Sequence, residues 1–163
     1  MKRIGVISDT HGGPAVTRLC TEIAGDVDCW FHLGDYISDA AELKKLTGKP
    51  VYTVRGNCDE YSDDFTALSE RVVEISGKRF FLIHGHSYGV KESLSRAAYR
   101  AEELHCDALL FGHTHISLID NYDGLLIVNP GSPRLPHGSR KPSFAILTIT
   151  DDGKLRAQIV PVK

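Results

Sequence analysis

The sequence lacks the features of secreted, membrane-spanning and duplex-binding proteins. No stretch approaches the roughly 18 apolar residues of a transmembrane helix. The apolar run near the N-terminus stops at Ser8 and Asp9, too early for a signal-peptide core. Lys and Arg number 19 against 21 Asp and Glu, so a net charge of -2 supplies no basic excess for duplex nucleic acid. We therefore expect neither a membrane nor duplex nucleic acid as a partner.

Paired cysteine motifs and linkers are also missing. The cysteines stand at irregular spacings without a CxxC pair, at Cys20, Cys29, Cys58 and Cys106. This pattern is typical of reduced thiols in a cytoplasmic protein. The chain has no internal repeat and no Pro- or Gly-rich linker. With 163 residues, we expect residues 1–163 to form one domain whose core needs no structural metal, so that any metal is functional.

Hydrophobic patterning in the first half predicts alternating strands and helices. Apolar runs that end in polar residues predict three buried strands, at residues 3–7, 29–33 and 51–54. Apolar residues at helical spacing predict two helices between them, at residues 14–24 and 38–46. Pro14 suits a first helical turn, and Gly25 and Gly48 suit the two helix ends. The resulting order βαβαβ is typical of a mostly parallel sheet.

The second half is predicted to be rich in strands. The pattern predicts strands at residues 72–75, 80–83, 107–111, 143–150 and 154–160, a hairpin over 117–129, and a helix at 91–105. Turn signals at Ser76-Gly77, Asp123-Gly124 and Asp152-Gly153 join three antiparallel pairs. A sheet from the first half stacked on strands from the second predicts an α/β fold, a four-layer α-β-β-α sandwich of two mixed sheets flanked by helices.

Possible metal ligands follow most of the predicted strands. They are Asp9, His11, Asp35, Asn57, His84, His86, His113 and His115. Strand ends converge on one crevice in α/β sheets, so side chains from separate strands could meet there. Each pair of neighbouring donors is weak alone and is more often a cap or a surface group. Together they offer more donors than one ion needs, which suggests two metals that share a carboxylate.

The same residues resemble the signature of the calcineurin-like metallophosphoesterase superfamily. The shared motifs are Asp9-x-His11, Gly34-Asp35, Gly56-Asn57, His84 and Gly112-His113-Thr114-His115. The short chain, residues 54–59, His84-Gly85-His86 and residues 129–132 further resemble the small YfcE-like phosphodiesterase branch. The resemblance implies a metal-dependent phosphoric diester hydrolase that acts on small phosphodiesters.

The resemblance also implies how the metals are held. One ion would be bound by Asp9, His11, Asp35 and His115, and the second by Asp35, Asn57, His84 and His113. The mixed oxygen and imidazole donors suit manganese, zinc, iron, nickel or cobalt better than calcium, and manganese is the expected ion. The two ions would deprotonate a shared water that attacks phosphorus, with Asp35 as the bridge. The competing interpretation is that Asp35 only caps the following helix.

The sequence departs from the wider superfamily at two positions. Many members carry a histidine directly after the Gly-Asn pair and an aspartate three residues after the bridging one, whereas this chain has Cys58 and Ser38. Efficient cleavage of monoesters with poor leaving groups is therefore not expected. His86 could replace the missing acid, or contact phosphate instead. Cys58 is either a small packed side chain or a contact to metal or substrate.

Other residues have weaker predicted roles. Pro130-Gly131 predicts a turn, and Ser132 and Arg134 after it could contact substrate. Three tyrosines are candidates for the wall around the metals, namely Tyr36, Tyr61 and Tyr88. Three histidines are predicted to have no part in the site, with His32 in the core, His105 at a helix end and His137 in solvent.

Two other function classes compete with the diesterase. A subunit of the retromer complex resembles this fold and serves as a scaffold, so a non-catalytic protein-binding module is the main alternative. All seven implied ligands are retained in this chain, which argues against it. A nuclease of the same superfamily is the other alternative, and the lack of a basic excess disfavours it. The natural substrate and the oligomeric state are left open.

Overall fold

The first five-stranded sheet carries the N-terminal strand at its centre. The computed structural model describes residues 1–59 and 68–162, and all structural statements concern these residues. The sheet has the order β10-β9-β1-β2-β3. Its strands are β1 (Lys2–Ile7), β2 (Cys29–His32), β3 (Val51–Thr53), β9 (Ser143–Ile149) and β10 (Leu155–Pro161). β1, β2 and β3 are parallel, while β9 runs antiparallel to β1 and to β10.

The second sheet is built from the middle of the chain. It has five strands in the order β4-β5-β6-β8-β7. They are β4 (Glu70–Ile75), β5 (Lys78–Ile83), β6 (Ala108–Leu110), β7 (Leu118–Tyr122) and β8 (Leu125–Asn129). The pairs β4/β5 and β7/β8 are antiparallel hairpins, and β6 is parallel to both of its neighbours. Both sheets are therefore mixed.

Three helices lie outside the sheets. They are α1 (Pro14–Ala24), α2 (Ser38–Thr47) and α3 (Ser95–Glu103). α1 begins at Pro14, and both α1 and α2 end at a glycine whose backbone N–H donates to a carbonyl of the last turn. Among the described residues, none of the helices has the length and apolar character needed to cross a bilayer.

Three hydrophobic clusters separate the layers. The central cluster joins residues of both sheets, such as Val6 and Phe31 from the first and Phe80 and Leu110 from the second. A second cluster packs α1 and α2 against the first sheet around the fully buried Trp30. The third packs α3 against the second sheet. This order of layers confirms the predicted four-layer α-β-β-α sandwich of two mixed sheets.

Two details of the predicted fold are wrong. The last hairpin, β9 and β10, belongs to the first sheet, because β9 pairs with β1 along residues 2–6 and covers the edge that β1 would otherwise leave open. The third helix begins at Ser95 instead of Lys91. Before it, the Ser93 hydroxyl accepts a hydrogen bond from Ser95 N, and such a local bond competes with helix formation.

Candidate metal centre

The ends of strands from both sheets meet at one site. The N–H of Asp9, which follows β1, donates to the carbonyl of Gly34, which follows β2, at 3.0 Å. In the second sheet, Gly112 N after β6 donates to the carbonyl of His84 after β5 at 2.9 Å. Within each sheet, the residues that follow two neighbouring strands are therefore held together by a main-chain bond.

Four predicted ligands form one tight group. The ligand atoms of Asp9, His11, Asp35 and His115 all lie within 4.8 Å of one another. Asp9 Oδ1 is 3.2 Å from His115 Nε2 and 3.8 Å from His11 Nε2. Asp35 Oδ2 is 3.5 Å from His11 Nε2. Donors about 2.1 Å from a common ion at tetrahedral angles are about 3.4 Å apart, so this spacing suits a bound cation.

His84 joins the same cluster from the second sheet. Its Nε2 atom lies 3.5 Å from Asp35 Oδ1 and 3.7 Å from Asp9 Oδ1. The His113 ring is centred 5.1 Å from the His84 ring. Asp35 therefore presents one carboxylate oxygen to His11 and the other to His84, as a ligand shared by two ions would.

Asn57 stands at the outer edge of this arrangement. The residue is exposed in the first turn after Gly56, and its amide Nδ2 lies 3.7 Å from Cys58 Sγ. The N–H of Cys58 donates to Asp35 Oδ1 at 2.9 Å, so the turn that carries Asn57 is fastened to the shared carboxylate. The turn after Gly56 thus places Asn57 beside Asp35.

Backbone contacts orient two of the imidazoles. His84 Nδ1 is 2.8 Å from the carbonyl oxygen of Leu33, and His115 Nδ1 is 2.6 Å from that of Leu135. A carbonyl accepts only, so each Nδ1 carries a proton and each Nε2 of the neutral ring has a lone pair facing the aspartates. This is the tautomer that metal-binding histidines use.

Two buried atoms of the cluster have no hydrogen-bond partner. They are Asp9 Oδ1 and His84 Nε2, both on fully buried side chains. Unpaired buried polar atoms are costly and rare in native proteins. Divalent cations accept electron pairs from both carboxylate oxygens and imidazole nitrogens, so the donors present fit bound metal.

Backbone strain is concentrated at the same cluster. Among the described residues, nine that are not glycine have a positive φ, and six of them lie here. These six are Asp9 (57°), His11 (50°), Asp35 (59°), Tyr36 (65°), His113 (70°) and His115 (59°). A side chain makes this conformation unfavourable, by of order 1–3 kcal/mol per residue, and such strain gathers at functional sites.

Two motif glycines make room for the carboxylates. A Cβ at Gly56 would stand 2.2 Å from Asp35 Oδ1, and one at Gly112 would stand 2.6 Å from Asp9 Oδ2. Any side chain at either position would displace an aspartate. The glycines of the Gly-Asn and Gly-His pairs are therefore explained by close packing on the two carboxylates.

Asp59 supports the site, although no role was predicted for it. It is buried, and its carboxylate accepts hydrogen bonds from Asp35 N at 2.9 Å, Ile37 N at 2.9 Å and Gly56 N at 2.8 Å. The side chain thereby joins the loops that carry Asp35 and Asn57. The only signal in the sequence is its place two residues after Asn57, which does not distinguish it from an ordinary turn residue.

The helix-cap interpretation of Asp35 is wrong. The residue at the N-cap of α2 is Ile37, without a side-chain cap hydrogen bond. Asp35 points instead to Cys58, His11 and His84. The aspartate at the start of α2 that does bind a neighbouring loop is Asp39, whose carboxylate accepts a hydrogen bond from Gly12 N at 3.0 Å.

Ser132 and Arg134 lie beneath and beside the cluster. Ser132 is fully buried, and its hydroxyl donates to the carbonyl of Asp9 at 2.9 Å while accepting from Leu135 N at 2.8 Å. The hydroxyl therefore supports Asp9 instead of lying at the surface where substrate contact was predicted. Arg134 is exposed and its guanidinium donates to the carbonyl of His11 at 2.6 Å.

His86 and Cys58 are both exposed next to the cluster. The His86 ring is centred 5.5 Å from the His84 ring. His86 and Asn57 line a cavity of about 430 Å³ together with Arg55, Gly56 and Ser69. Because Cys58 is exposed, the interpretation of it as a buried packing residue is wrong.

The surroundings of three predicted ligands lower their pKa values and so favour the deprotonated forms that bind a cation. Burial alone would raise the pKa of Asp9, but the neighbouring imidazoles of His115 and His84 lower it to about 2. Burial, and then the charge of His84, lower the pKa of His113 to about 4. Burial also lowers the pKa of His11. Near neutral pH these three groups are deprotonated, as metal ligands must be.

Two other pKa values move the opposite way. The pKa of His115 is raised, because its contact with Asp9 outweighs the effect of burial. Burial and the charge of Asp35 raise the pKa of the Cys58 thiol to about 11. Without a cation, Cys58 is therefore a protonated thiol at neutral pH, whereas the lowered pKa of His86, caused by burial and His84, favours the neutral imidazole.

The remaining histidines follow the prediction with one exception. His32 is fully buried, as predicted, and its ring nitrogens contact Thr10 Oγ1 at 3.1 Å and Gly34 N at 3.3 Å. His105 directly follows the C-cap of α3, at the predicted helix end. His137, however, is not simply solvated, because its ring stacks on the His115 ring with centroids 4.3 Å apart.

The three candidate wall tyrosines have different surroundings. Tyr36 is exposed and its ring is centred 5.4 Å from the His11 ring. The Tyr88 hydroxyl donates to Glu70 Oε1 at 2.7 Å, so this hydrogen bond holds the side chain against β4. Tyr61 lies outside the described residues. Of the tyrosines that are described, Tyr36 is therefore the one against the metal cluster.

This combination of a two-sheet sandwich and a strand-end Asp/His cluster agrees with comparisons to known proteins. The family model for the calcineurin-like phosphoesterase superfamily domain matches residues 1–152. A probable metallophosphoesterase of Bacillus subtilis, YsnB, is 36% identical over 148 residues, which cover 90% of this chain and 84% of the relative. The chain belongs to the calcineurin-like phosphoesterase superfamily.

Its relatives include the branch indicated by the sequence motifs. The phosphodiesterase YfcE of Escherichia coli is 29% identical over 169 residues, which cover 90% of this chain and 88% of YfcE. This likeness confirms the predicted resemblance to YfcE. A crystal structure of Vps29 from Entamoeba histolytica complexed with zinc has a TM-score of 0.74 at 23% identity and covers 99% of both chains. At that identity the second likeness concerns the fold alone.

Proposed function

We propose that this chain is a phosphodiesterase that holds two divalent metal ions at the strand-end cluster and hydrolyses small phosphodiesters. The observation that carries the proposal is the pair of unpaired buried atoms, Asp9 Oδ1 and His84 Nε2, 3.7 Å apart. Metal ions would remove the cost of burying both atoms without a partner. The names of the metallophosphoesterase and phosphodiesterase relatives support the same reaction class.

The two ions would have separate ligands and one shared carboxylate. The first would be held by Asp9, His11, Asp35 and His115, and the second by Asp35, Asn57, His84 and His113. Asp35 suits the shared position, because its two oxygens lie 3.5 Å from the nitrogens of His11 and His84 respectively. Carboxylate, amide and imidazole donors suit manganese, zinc, iron, nickel or cobalt, and manganese is the ion we propose first.

When bound, the ions lower the pKa of a water and offset the negative charge that develops on the phosphate oxygens. The chain's own residues orient these ions. Leu33 and Leu135 fix the imidazole tautomers of His84 and His115, and Asp59 holds the loop of Asp35. None of these residues needs to form a covalent bond with substrate.

The substrate side of the site is the cavity beside Asn57 and His86. A diester bound at the cluster would place one substituent near these two side chains. Cys58, which follows Asn57 in the chain, and Arg134, whose guanidinium donates to the carbonyl of His11, are the other candidate contacts. His86 is the proposed partner of the leaving group. Replacement of His86 by Ala should then slow cleavage of a diester with a poor leaving group more than that of a nitrophenyl diester. Equal rates for wild type and variant on the poor leaving group would contradict this role.

The reaction is tested with bis(p-nitrophenyl) phosphate and p-nitrophenyl phosphate, after chelation and again after addition of manganese or zinc. We expect metal-dependent cleavage of the diester and weak cleavage of the monoester, because Ser38 and Cys58 replace the superfamily's acid pair. An Asp35→Asn variant should be inactive. Asp123→Asn, on an exposed turn with a similar φ of 50°, is the matched control and should be active. No diester cleavage with any metal would overturn the proposal.

The alternative function is a non-catalytic binding module. The similarity to Vps29 supports this alternative through the shared fold alone. The two functions differ in metal content. A scaffold that binds no metal after purification and cleaves no diester would support the alternative, and bound metal with turnover would exclude it. A cytoplasmic location, a single domain over residues 1–163 and the absence of duplex nucleic acid as a partner stay predictions.

A further inference from the structure

Tyr36 is an exposed aromatic side chain in an unfavourable backbone conformation. It follows Asp35 directly, and both residues have positive φ, 59° and 65°. Its backbone carbonyl accepts a hydrogen bond from Asp39 N, so the chain passes from the metal cluster into α2 through this residue. The turn itself requires only the backbone, and glycine adopts this conformation more easily than tyrosine. The ring therefore needs a separate explanation.

Core packing does not supply that explanation. Tyr36 is 43% exposed, and none of the hydrogen bonds found among residues 1–59 and 68–162 uses its hydroxyl. The ring contacts the edge of the site instead, since it is centred 5.4 Å from the His11 ring. Gly12 lies under it, and a Cβ at that position would stand 3.4 Å from two ring carbons. One side of the ring is thus supported while much of it faces solvent.

Tyr36 is the outermost member of a row of rings that crosses the cluster. The row runs from Tyr36 through His11 and His115 to His137, with centroid separations of 5.4, 5.0 and 4.3 Å. The two inner rings belong to the tight Asp/His group. A planar group attached to a phosphate at that group would be beside Tyr36, on a surface already suited to stacking.

We infer that Tyr36 is a stacking platform for a planar ring of the substrate, and that the preferred substrates are nucleotide-like phosphodiesters. This inference rests on the proposed function, because it needs the phosphate to bind at the Asp/His cluster. A nucleobase has a polar edge and a flat face. Its face can stack on a partly exposed tyrosine ring while its edge stays in water, which a deep apolar pocket would not allow. Stacking of one base on an aromatic side chain strengthens binding by about 5- to 150-fold.

The test compares two ligands that differ only in the base. Adenosine 5′-monophosphate and ribose 5-phosphate carry the same phosphate and sugar, so the ratio of their dissociation constants isolates the ring. Titration calorimetry on manganese-loaded protein should give at least about ten-fold tighter binding of the adenosine compound. Tyr36→Leu should reduce that ratio to about 1, and Tyr36→Phe should preserve it.

Tyr99→Leu is the control variant. Tyr99 is 66% exposed on α3, away from the cluster, and its replacement should preserve the ratio. Equal affinities of the two ligands for wild type would overturn the inference. So would an equal loss for both ligands in Tyr36→Leu, which would show that Tyr36 only supports His11. Failure of the proposed function would look different, as absence of diester cleavage in wild type whatever the affinity ratio.

Discussion

Residues other than glycine have a positive φ at both ends of the sheets, but the structural reason differs between the two ends. At one end, Ser76 and Asp123 have a φ of 50° inside two-residue hairpin turns, where Gly77 and Gly124 follow them. Such turns require a positive φ, so local structure explains the strain. At the other end, six residues have φ between 50° and 70° around buried charges and unpaired atoms. The remaining residue, His105 with a φ of 55°, directly follows the C-cap of α3, where the left-handed conformation is common. Strain outside hairpins and helix C-termini therefore marks the functional end of this molecule.

The largest expected effect contrasts two aspartates of similar conformation, Asp35 and Asp123. Asp35→Asn should lower kcat/KM for a nitrophenyl diester by about 1000-fold or more, because loss of the shared ligand removes several kcal/mol of charge stabilisation. Asp123→Asn should change kcat/KM by less than about two-fold. Steady-state kinetics with manganese measures both, and similar losses in the two variants would remove the distinction between the ends.

A second contrast concerns carboxylates that support the backbone. Asp59→Ala should lower the free energy of unfolding by about 3 kcal/mol, because three backbone N–H groups lose a charged acceptor. Asp151→Ala, which removes an exposed pairing with the N-terminus, should lower the free energy of unfolding far less, because solvent screens exposed ion pairs. Urea unfolding of metal-free protein measures both. Equal costs would mean that Asp59 does not hold the site together.

Metal binding should stabilise the folded protein through the ligands at the functional end. At a metal concentration 100 times the dissociation constant, folding gains about 2.7 kcal/mol, which corresponds to a rise in Tm of roughly 5–10 °C at this chain length. Asp9→Asn should lose most of this rise. Without metal, the same variant should be less stable than wild type near neutral pH, because the lowered pKa of Asp9 shows that the folded state favours its charged form. A metal-dependent rise of equal size in Asp9→Asn would contradict the assigned ligands.

The smallest effect concerns the reactivity of an exposed thiol. Although Cys58 is exposed, partial burial of its thiol and the charge of Asp35 raise its pKa to about 11, so only a small fraction is thiolate at pH 8. Alkylation of Cys58 in metal-free protein should therefore rise by about ten-fold per pH unit up to about pH 11. An ordinary thiol, with a pKa near 8.5, would level off above about pH 9. Mass spectrometry of the labelled peptide separates these outcomes.

Local signals in the sequence predicted most elements of the fold. Pro14 and Gly25 gave α1 its observed ends, and the Asp123-Gly124 pair gave the hairpin of β7 and β8. The partner of β9 was beyond reach, because nothing local indicates that a hairpin near the C-terminus pairs with β1 about 140 residues away. Ser93 shortened α3 through a side-chain bond that periodicity does not reveal.

The site was predictable to the extent that strand ends defined it. Asp9, His11, Asp35 and His115 each follow a predicted strand, and the structure brings them together. The supporting contacts depend on tertiary structure, so no local pattern indicates that Asp59 binds three backbone amides. The stacking of His137 on His115 joins residues of two different loops and was missed for the same reason.

The most direct test of the central claim is anomalous X-ray scattering from crystals loaded with manganese. The proposal predicts two anomalous peaks, both within coordination distance of the Asp35 carboxylate, one on the side of His11 and His115 and the other on the side of His84 and His113. A single peak at the first group, or no peak at any manganese concentration, would contradict a two-metal centre shared through Asp35.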